Sequence, residues 1–277
     1  MSKECSSDCS SYGQSCASRR DEPNSLLEAP HPLSSIKKVV GVVSGKGGVG
    51  KSMVTSLLAV MLQRAGYQAA ILDADITGPS IPKSFGIQSR AEDGGEFGIL
   101  PKKTATGIQL MSINLLLERE DTPVVWRGPV IANTVKQLYS GVVWANVDFL
   151  LLDLPPGTGD VPLTIFQSLP VDGIIMVTSP QDLVSMVVSK AVNMAKLMHI
   201  PVLGLVENMS YVECPDCKKK IELFGKSHAQ QTADKHGIEL LGRIPVEPTL
   251  AAMCDNGQIE LFDGDWLKAA LDKLTAL

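Results

Sequence analysis

The sequence predicts an α/β fold: a mostly parallel, doubly wound sheet with helices on both faces. Two observations lead there. From Lys37 onward, apolar runs of strand length alternate with longer stretches of helical pattern, the order that strand–helix–strand units impose. The runs are also continuous in Val, Ile and Leu, as in FLLLD at 149–153, which marks strands buried on both faces.

Strands are expected at 39–44, 69–73, 108–113, 148–153, 172–178, 201–207 and 239–244, and helices near 50–65, 130–140, 160–168, 182–199 and 228–236. The stretch 90–110 breaks this rhythm with Gly94, Gly95, Gly98, Pro101 and Gly107, and predicts a hairpin excursion. In the last segment, DWLKAALDKLTAL, residues Trp266, Leu267, Ala270, Leu271 and Leu274 share one helical face amid balanced charges. That pattern predicts docking on the core. Residues 1–35 are rich in Ser, Pro and charge, with few large apolar groups before Leu26 and Leu27. They predict a flexible, cysteine-containing tail, followed by one domain over 36–277.

Of the 277 residues, 44% are hydrophobic and 20% charged, enough to bury a sizeable core. A net charge of −5 argues against a nucleic-acid-binding surface. No apolar run approaches the roughly 18 residues of a membrane span, and the polar N-terminus has no apolar signal core. The expectation is a cytoplasmic protein, where six cysteines serve as metal ligands or core residues rather than disulfides.

SGKGGVGKS at 44–52 follows an apolar strand and opens a helix, the context of a phosphate-binding P-loop. Gly45, Gly47, Gly48 and Gly50 let the backbone curl so that its N–H groups, that of Val49 included, face a polyphosphate. Lys51 then reaches the β- and γ-phosphates, and the Ser52 hydroxyl holds Mg²⁺. Lys46 is not required by an ordinary P-loop, and KGGVGKS resembles the signature-lysine class. In that class the early lysine reaches the partner subunit's nucleotide, which would stabilise charge on the transferring phosphoryl group.

Acidic residues end two strands, where ligands bind in open α/β sheets. Asp153 closes FLLLD as a Walker B acid and would hold Mg²⁺, largely through water. The PPGTGD that follows can bring the Gly157 amide beside the γ-phosphate, as a loop responsive to hydrolysis. Asp73 and Asp75 end the second strand. They can be turn residues, while resemblance to the class has Asp75 orient the attacking water and Asp73 support the metal site. Asn208, ending VLGLVEN, is placed to read a base edge, although such an Asn is often only a turn residue. The loop IPVEP at 244–248 is expected to close over the base.

ECPDC supplies Cys214 and Cys217 in one C-x-x-C loop. A structural zinc or a [4Fe–4S] cluster wants four thiolates, and a two-fold dimer would bring them together; a redox role is the other use of a lone pair. Cys254 follows LAAM and is expected to be a small buried hydrophobe.

The stretches GVVSGKGGVGKS, LDADITGPSIP, WRGPV, DFLLLDLPPGTGD, VENMSYVECPDC and GRIPVEP together resemble the Mrp/Nbp (ApbC) family of iron–sulfur cluster carrier ATPases, over about 38–262. The resemblance implies ATP binding and hydrolysis and a labile cluster on Cys214 and Cys217 at a homodimer interface. It also implies cluster transfer to recipient apo iron–sulfur proteins, and adenine as the base. Some relatives carry a four-cysteine site in the tail; here only Cys5, Cys9 and Cys16 are present, with Tyr12 where the partner of Cys9 would stand.

Three other functions compete. A MinD/ParA-type positioning switch ends in a basic amphipathic helix or shows a basic DNA face, unlike this C-terminus. A reductase like the nitrogenase iron protein has cluster cysteines before the Walker B strand, and none occurs here from 17 to 213. A zinc-bridged targeting ATPase needs a Met-rich helical insertion that is missing between 110 and 210.

Overall fold

The computed structural model describes residues 27–75, 80–95, 98–116, 128–180 and 184–277. The tail cysteines Cys5, Cys9 and Cys16 lie outside the described residues.

Strand β1 (Ile36–Ser44) leads through the glycine-rich loop into helix α1 (Lys51–Arg64), then β2 (Ala69–Asp73) and a short α2 (Ile81–Ser84). The glycine-rich excursion gives three two-residue strands: β3 (Glu92–Asp93), β4 (Ile99–Leu100) and β5 (Lys102–Lys103). The chain re-enters the sheet as β6 (Gln109–Ser112), and α3 (Gly128–Gly141), β7 (Val147–Asp153), α4 (Asp160–Ser168), β8 (Gly173–Thr178), α5 (Val184–Leu197) and β9 (Val202–Glu207) follow. A hairpin of β10 (Val212–Glu213) and β11 (Lys220–Ile221) precedes α6 (Ala229–His236), β12 (Leu240–Arg243), α7 (Pro248–Asp255) and α8 (Lys268–Thr275).

Among the described residues, eight strands form one sheet in the order β12-β9-β8-β1-β7-β2-β6-β5. All pairings are parallel except β5 with β6. The continuous Val/Ile/Leu runs are buried throughout: β2 and β8 hide every residue. Each apolar strand expected from the sequence is present with its ends moved by at most a few residues. The excursion at 90–110 pairs β3 with β4 antiparallel. Leu267, Ala270 and Leu274 are fully buried as the last helix docks on the core.

Two features differ from expectation. Residues 27–35 are tied down rather than tail-like: Glu28 N–H donates to Ser168 O, and Ser35 N–H to Trp144 O. Ser34 Oγ donates to Val142 O and accepts from Trp144 N–H. Backbone groups and one serine do this work, so low hydropathy gave no sign of it. Helix α7 begins at Pro248, inside the segment expected as a base-covering loop. Proline is well suited to a first helical turn, and Glu247 caps it by accepting from Thr249 N–H at 3.0 Å.

The sheet order sets β1, β7 and β2 side by side. Val42 lies opposite Asp153, and Asp153 opposite Asp73. The loop of β1 and the acids of two neighbouring strands therefore emerge at one carboxyl edge.

Candidate functional site

The glycine-rich loop turns at Gly48 and Gly50, with φ of 76° and 77°, a region open to glycine at little cost. At Gly50 a Cβ would also run into the Asn208 amide nitrogen. Gly50 caps α1 without a side-chain hydrogen bond, so the helix presents its first-turn amides at the loop. They open into a cleft of about 570 Å³ lined by the loop, Asp75, Pro156 and the far walls α2 and α7.

Lys51 is 5% exposed. Its Nζ sits 2.8 Å from Asp153 Oδ2 and 3.6 Å from Asp75 Oδ2, yet makes no hydrogen bond of proper angle. A buried ammonium with unused donors beside a cleft of amides suits a phosphate. Asp153 is fully buried and is shared: Ser52 Oγ donates to Oδ2 at 2.6 Å, and Thr55 Oγ1 to Oδ1 at 2.8 Å. Asp73 is also buried, with Oδ2 lacking a hydrogen-bond partner, while Oδ1 accepts from Asp75 N–H. Burial, and next the Asp153 charge, hold the Asp73 carboxyl well above the ordinary carboxylate range, against the pull of Lys51. This convergence of hard oxygens from Ser52, Asp153 and Asp73 fits Mg²⁺.

The structure thus brings together Lys51, Ser52, Asp73, Asp75 and Asp153. Thr55 was missed; it lies one helical turn beyond Lys51 and Ser52, a spacing that puts it on their face. Lys46 is half-buried beside the loop, and its carbonyl accepts from Ser44 Oγ at 3.0 Å.

Three expected contacts are made differently. The Gly157 N–H donates to Ser44 O at 2.8 Å, so the loop after β7 is latched to the end of β1. Asn208 is 1% exposed, and its amide is committed inside the protein: Nδ2 donates to Val49 O at 2.8 Å and Oδ1 accepts from Met209 N–H at 2.9 Å. It pins the phosphate loop. Residues 244–247 zip against 207–211 through Ile244 N–H to Glu207 O, Ser210 N–H to Ile244 O and Val246 N–H to Tyr211 O. The cleft's far wall is α7, including Cys254, which is half-buried rather than hidden, its thiol raised chiefly by burial.

Cys214 and Cys217 occupy the turn of the β10–β11 hairpin, neither in a disulfide. Cys214 N–H donates to Lys219 O and Lys218 N–H to Cys214 O, with Lys218 in the left-handed region at φ 60°. The turn aims the Cys217 N–H, then the Asp216 N–H and the Cys217 thiol, at the Cys214 sulfur; with a smaller pull from Lys218 they lower its thiol below the ordinary range. A turn that favours thiolate in the open suits a metal ligand or a reactive thiol. Among the described residues, no group of three or more His, Cys, Asp and Glu converges as a complete metal site.

This fold and site define a P-loop NTPase of the class whose strand-end acids and glycine loop share one sheet edge. The family described as "ParA: NUBPL iron-transfer P-loop NTPase" matches residues 35–274, and the chain belongs to it. It is 45% identical over 258 residues to an iron-sulfur cluster carrier protein of Clostridium perfringens, covering 89% of this chain and 90% of that one. A protein of the same description from Methanocaldococcus jannaschii is 46% identical over 226 residues, with 81% and 78% covered. Among solved structures, a nucleotide-binding protein of Archaeoglobus fulgidus in complex with ADP superposes with a TM-score of 0.75 at 42% identity, covering 83% and 90%. The MinD subunit family is matched in fold alone, as in a MinC:MinD complex of Aquifex aeolicus at TM-score 0.60 and 20% identity.

Proposed function

We propose that this chain is an ATP-hydrolysing iron–sulfur cluster carrier. Two copies hold a [4Fe–4S] cluster as cargo between their Cys214 and Cys217 pairs, and the homodimer passes it to apo iron–sulfur proteins. The observation that carries this is the pairing of sites: a thiolate-favouring C-x-x-C hairpin leaves the strand whose next residue, Asn208, pins the phosphate loop. The named function of relatives at 45% and 46% identity supports the same reading.

In ATP turnover, the loop amides from Gly45 to Ser52 hold the phosphates, and Lys51 turns its unused donors from Asp153 and Asp75 to the β- and γ-oxygens. Ser52, Asp153 and Asp73 would hold Mg²⁺, which supplies positive charge against the phosphates when bound. Asp75, 14% exposed at the cleft, orients the attacking water. Lys46 acts in the partner's site, and Gly157 gives up Ser44 O to meet the γ-phosphate. For adenine, Asn208 contributes by holding the phosphate loop in place through Val49 O. The chain is expected to work in the cytoplasm, without nucleic acid or membrane.

The test is Cys214→Ser with Cys217→Ser in protein purified without oxygen. Iron and sulfide should fall to background while ATP affinity stays within about twofold of that of cluster-free wild type, because the hairpin carries none of the phosphate contacts. Wild-type iron content in the double variant would refute the ligand assignment, and wild-type protein holding zinc without absorption near roughly 400 nm would refute the cluster itself.

A further inference from the structure

Glu207 ends β9 and sits beside Asn208 in sequence, yet it faces the other site. Its carboxylate is 1% exposed and collects donors from both ends of the cysteine hairpin. On the entry side Ser210 Oγ donates to Oε2. On the exit side Ser227 Oγ donates to Oε1 at 2.7 Å and reaches Oε2 at 2.8 Å. Arg243, its cross-strand neighbour on β12, donates through Nε to Oε2 at 3.1 Å and to Ser210 Oγ at 2.8 Å.

The guanidinium carries the network outward. Arg243 Nη2 lies 3.8 Å from Glu222, just past β11, and the group sits over the Tyr211 ring at 5.9 Å. Lys220, on β11, sits over the same ring at 4.4 Å. Two adjacent residues therefore hold two sites: Asn208 grips the carbonyl of Val49 in the phosphate loop, and Glu207 holds the chain just before the hairpin at Ser210 and beyond it at Ser227, ahead of α6.

Granting the carrier function above, we propose that Glu207 is the positioning residue that couples nucleotide to cluster. A shift of the phosphate loop pulls on Asn208, and the peptide joining Asn208 to Glu207 cannot move without reorienting a fully committed buried carboxylate. That carboxylate moves Ser210, Ser227 and Arg243 together, and with them the frame that sets Cys214 and Cys217. A buried charge with all its partners has few alternative arrangements, so the movement passes on instead of dissipating at the strand end. Coupling of this kind is reciprocal: a loaded cluster must change ATP affinity by the same factor as ATP changes cluster affinity.

The experiment measures the ATP Kd of apo and cluster-loaded protein without oxygen, in wild type, Glu207→Gln and Ser227→Ala, alongside iron content and melting temperature. Gln keeps the shape but withdraws the charge from Arg243 and cannot accept all donors at once. The wild-type ratio of the two Kd values is expected between about 5 and 150. Glu207→Gln should bring it to within about twofold of one, with Ser227→Ala intermediate and iron content and apo Kd near wild type in both. A part that was merely structural would lower the melting temperature and leave the ratio alone. The inference is overturned if the ratio survives in both variants, or if wild type itself shows a ratio of one; the carrier function is decided separately by iron in the double cysteine variant. Should Glu207→Gln fail to fold, the Ser227→Ala ratio decides.

Discussion

At the phosphate loop, Asp153 is wholly buried, with Lys51, Ser52 and Thr55 all within 2.8 Å. At the cysteine hairpin, two strands of two residues each present Cys217 exposed, with Cys214 only half-covered. The nucleotide end is braced by three central strands and two helices, and gathers its loop, Lys51 and three acids from one chain. The hairpin hangs from the sheet by its ends and, in the proposed function, offers half the thiols a cluster takes. A site that receives its ligand ready-made can be rigid. One that must accept and release cargo between two copies is better drawn from the weakly held part of a fold. The difference teaches where each function tolerates change.

The largest expected effect strikes the rigid end. Lys51→Ala removes the buried ammonium and leaves Asp75 and Asp153 facing each other, so ATP binding should vanish and turnover fall by about 10³-fold or more. Lys46→Ala should sharpen this: ATP Kd within about threefold of wild type, turnover down about 10²–10³-fold. Isothermal titration and phosphate release measure both. Equal losses in binding and turnover for Lys46→Ala would place that lysine in its own chain's site and remove the partner from catalysis.

Much of this rigid end is legible in the sequence, because phosphate binding demands glycines, a lysine and a hydroxyl at spacings fixed by backbone geometry. Asp73 and Asp153 were readable as acids that end apolar strands, and their neighbouring register follows from the parallel sheet. What was not readable is how polar groups choose among partners. The Asn208 amide takes Val49 O and the Gly157 amide takes Ser44 O; both choices depend on distances set by packing, not on spacing along the chain. Thr55 carries no motif of its own, and Glu207 reads as an ordinary strand-end acid until Ser227 and Arg243 fold against it. The two-residue strands β3 and β4 are too short to show a period at all.

A middle-sized effect tests the crowding of charge at the rigid end. Asp73 has a folded-state pKa raised by burial and by Asp153, so its ionisation costs stability. Asp73→Asn keeps the shape and deletes that cost. The nucleotide-free protein should gain about 1–2 kcal/mol, seen as a rise in melting temperature of roughly 2–4 °C per kcal/mol, while hydrolysis falls. The sign with pH follows. Because Asp73 binds its proton more tightly folded than unfolded, its contribution is fully favourable below the ordinary carboxylate pKa and is lost as pH rises through the raised value. The gap between variant and wild type should therefore close as pH is lowered from about 8 to about 5. A gap that widens on acidification would mean that Asp73 is stabilised as an anion.

The smallest effect is expected at the hairpin, where shape should matter more than charge. Lys218 holds a left-handed φ of 60°, costly for a residue with a Cβ by about 1 kcal/mol and free of that strain for glycine. It also lends a positive charge to the Cys214 thiol, but this is the smallest of the pulls that lower it; the backbone N–H groups of Cys217 and Asp216 come first. Lys218→Gly separates the two. If the turn's amides set the thiol, the variant keeps its turn and Cys214 is alkylated by iodoacetamide at near wild-type rate, within about threefold at a given pH, since only a solvent-screened charge is lost. Stability should change by less than about 1 kcal/mol, strain relief offsetting the added chain entropy. Peptide mapping by mass spectrometry reads Cys214 apart from Cys217 and Cys254. A fall to the rate of an ordinary exposed cysteine would show that the lysine's charge, not the folded turn, prepares the thiol. The hairpin would then depend on the same kind of pairing as the phosphate loop, and the contrast between the two regions would fail at its clearest point.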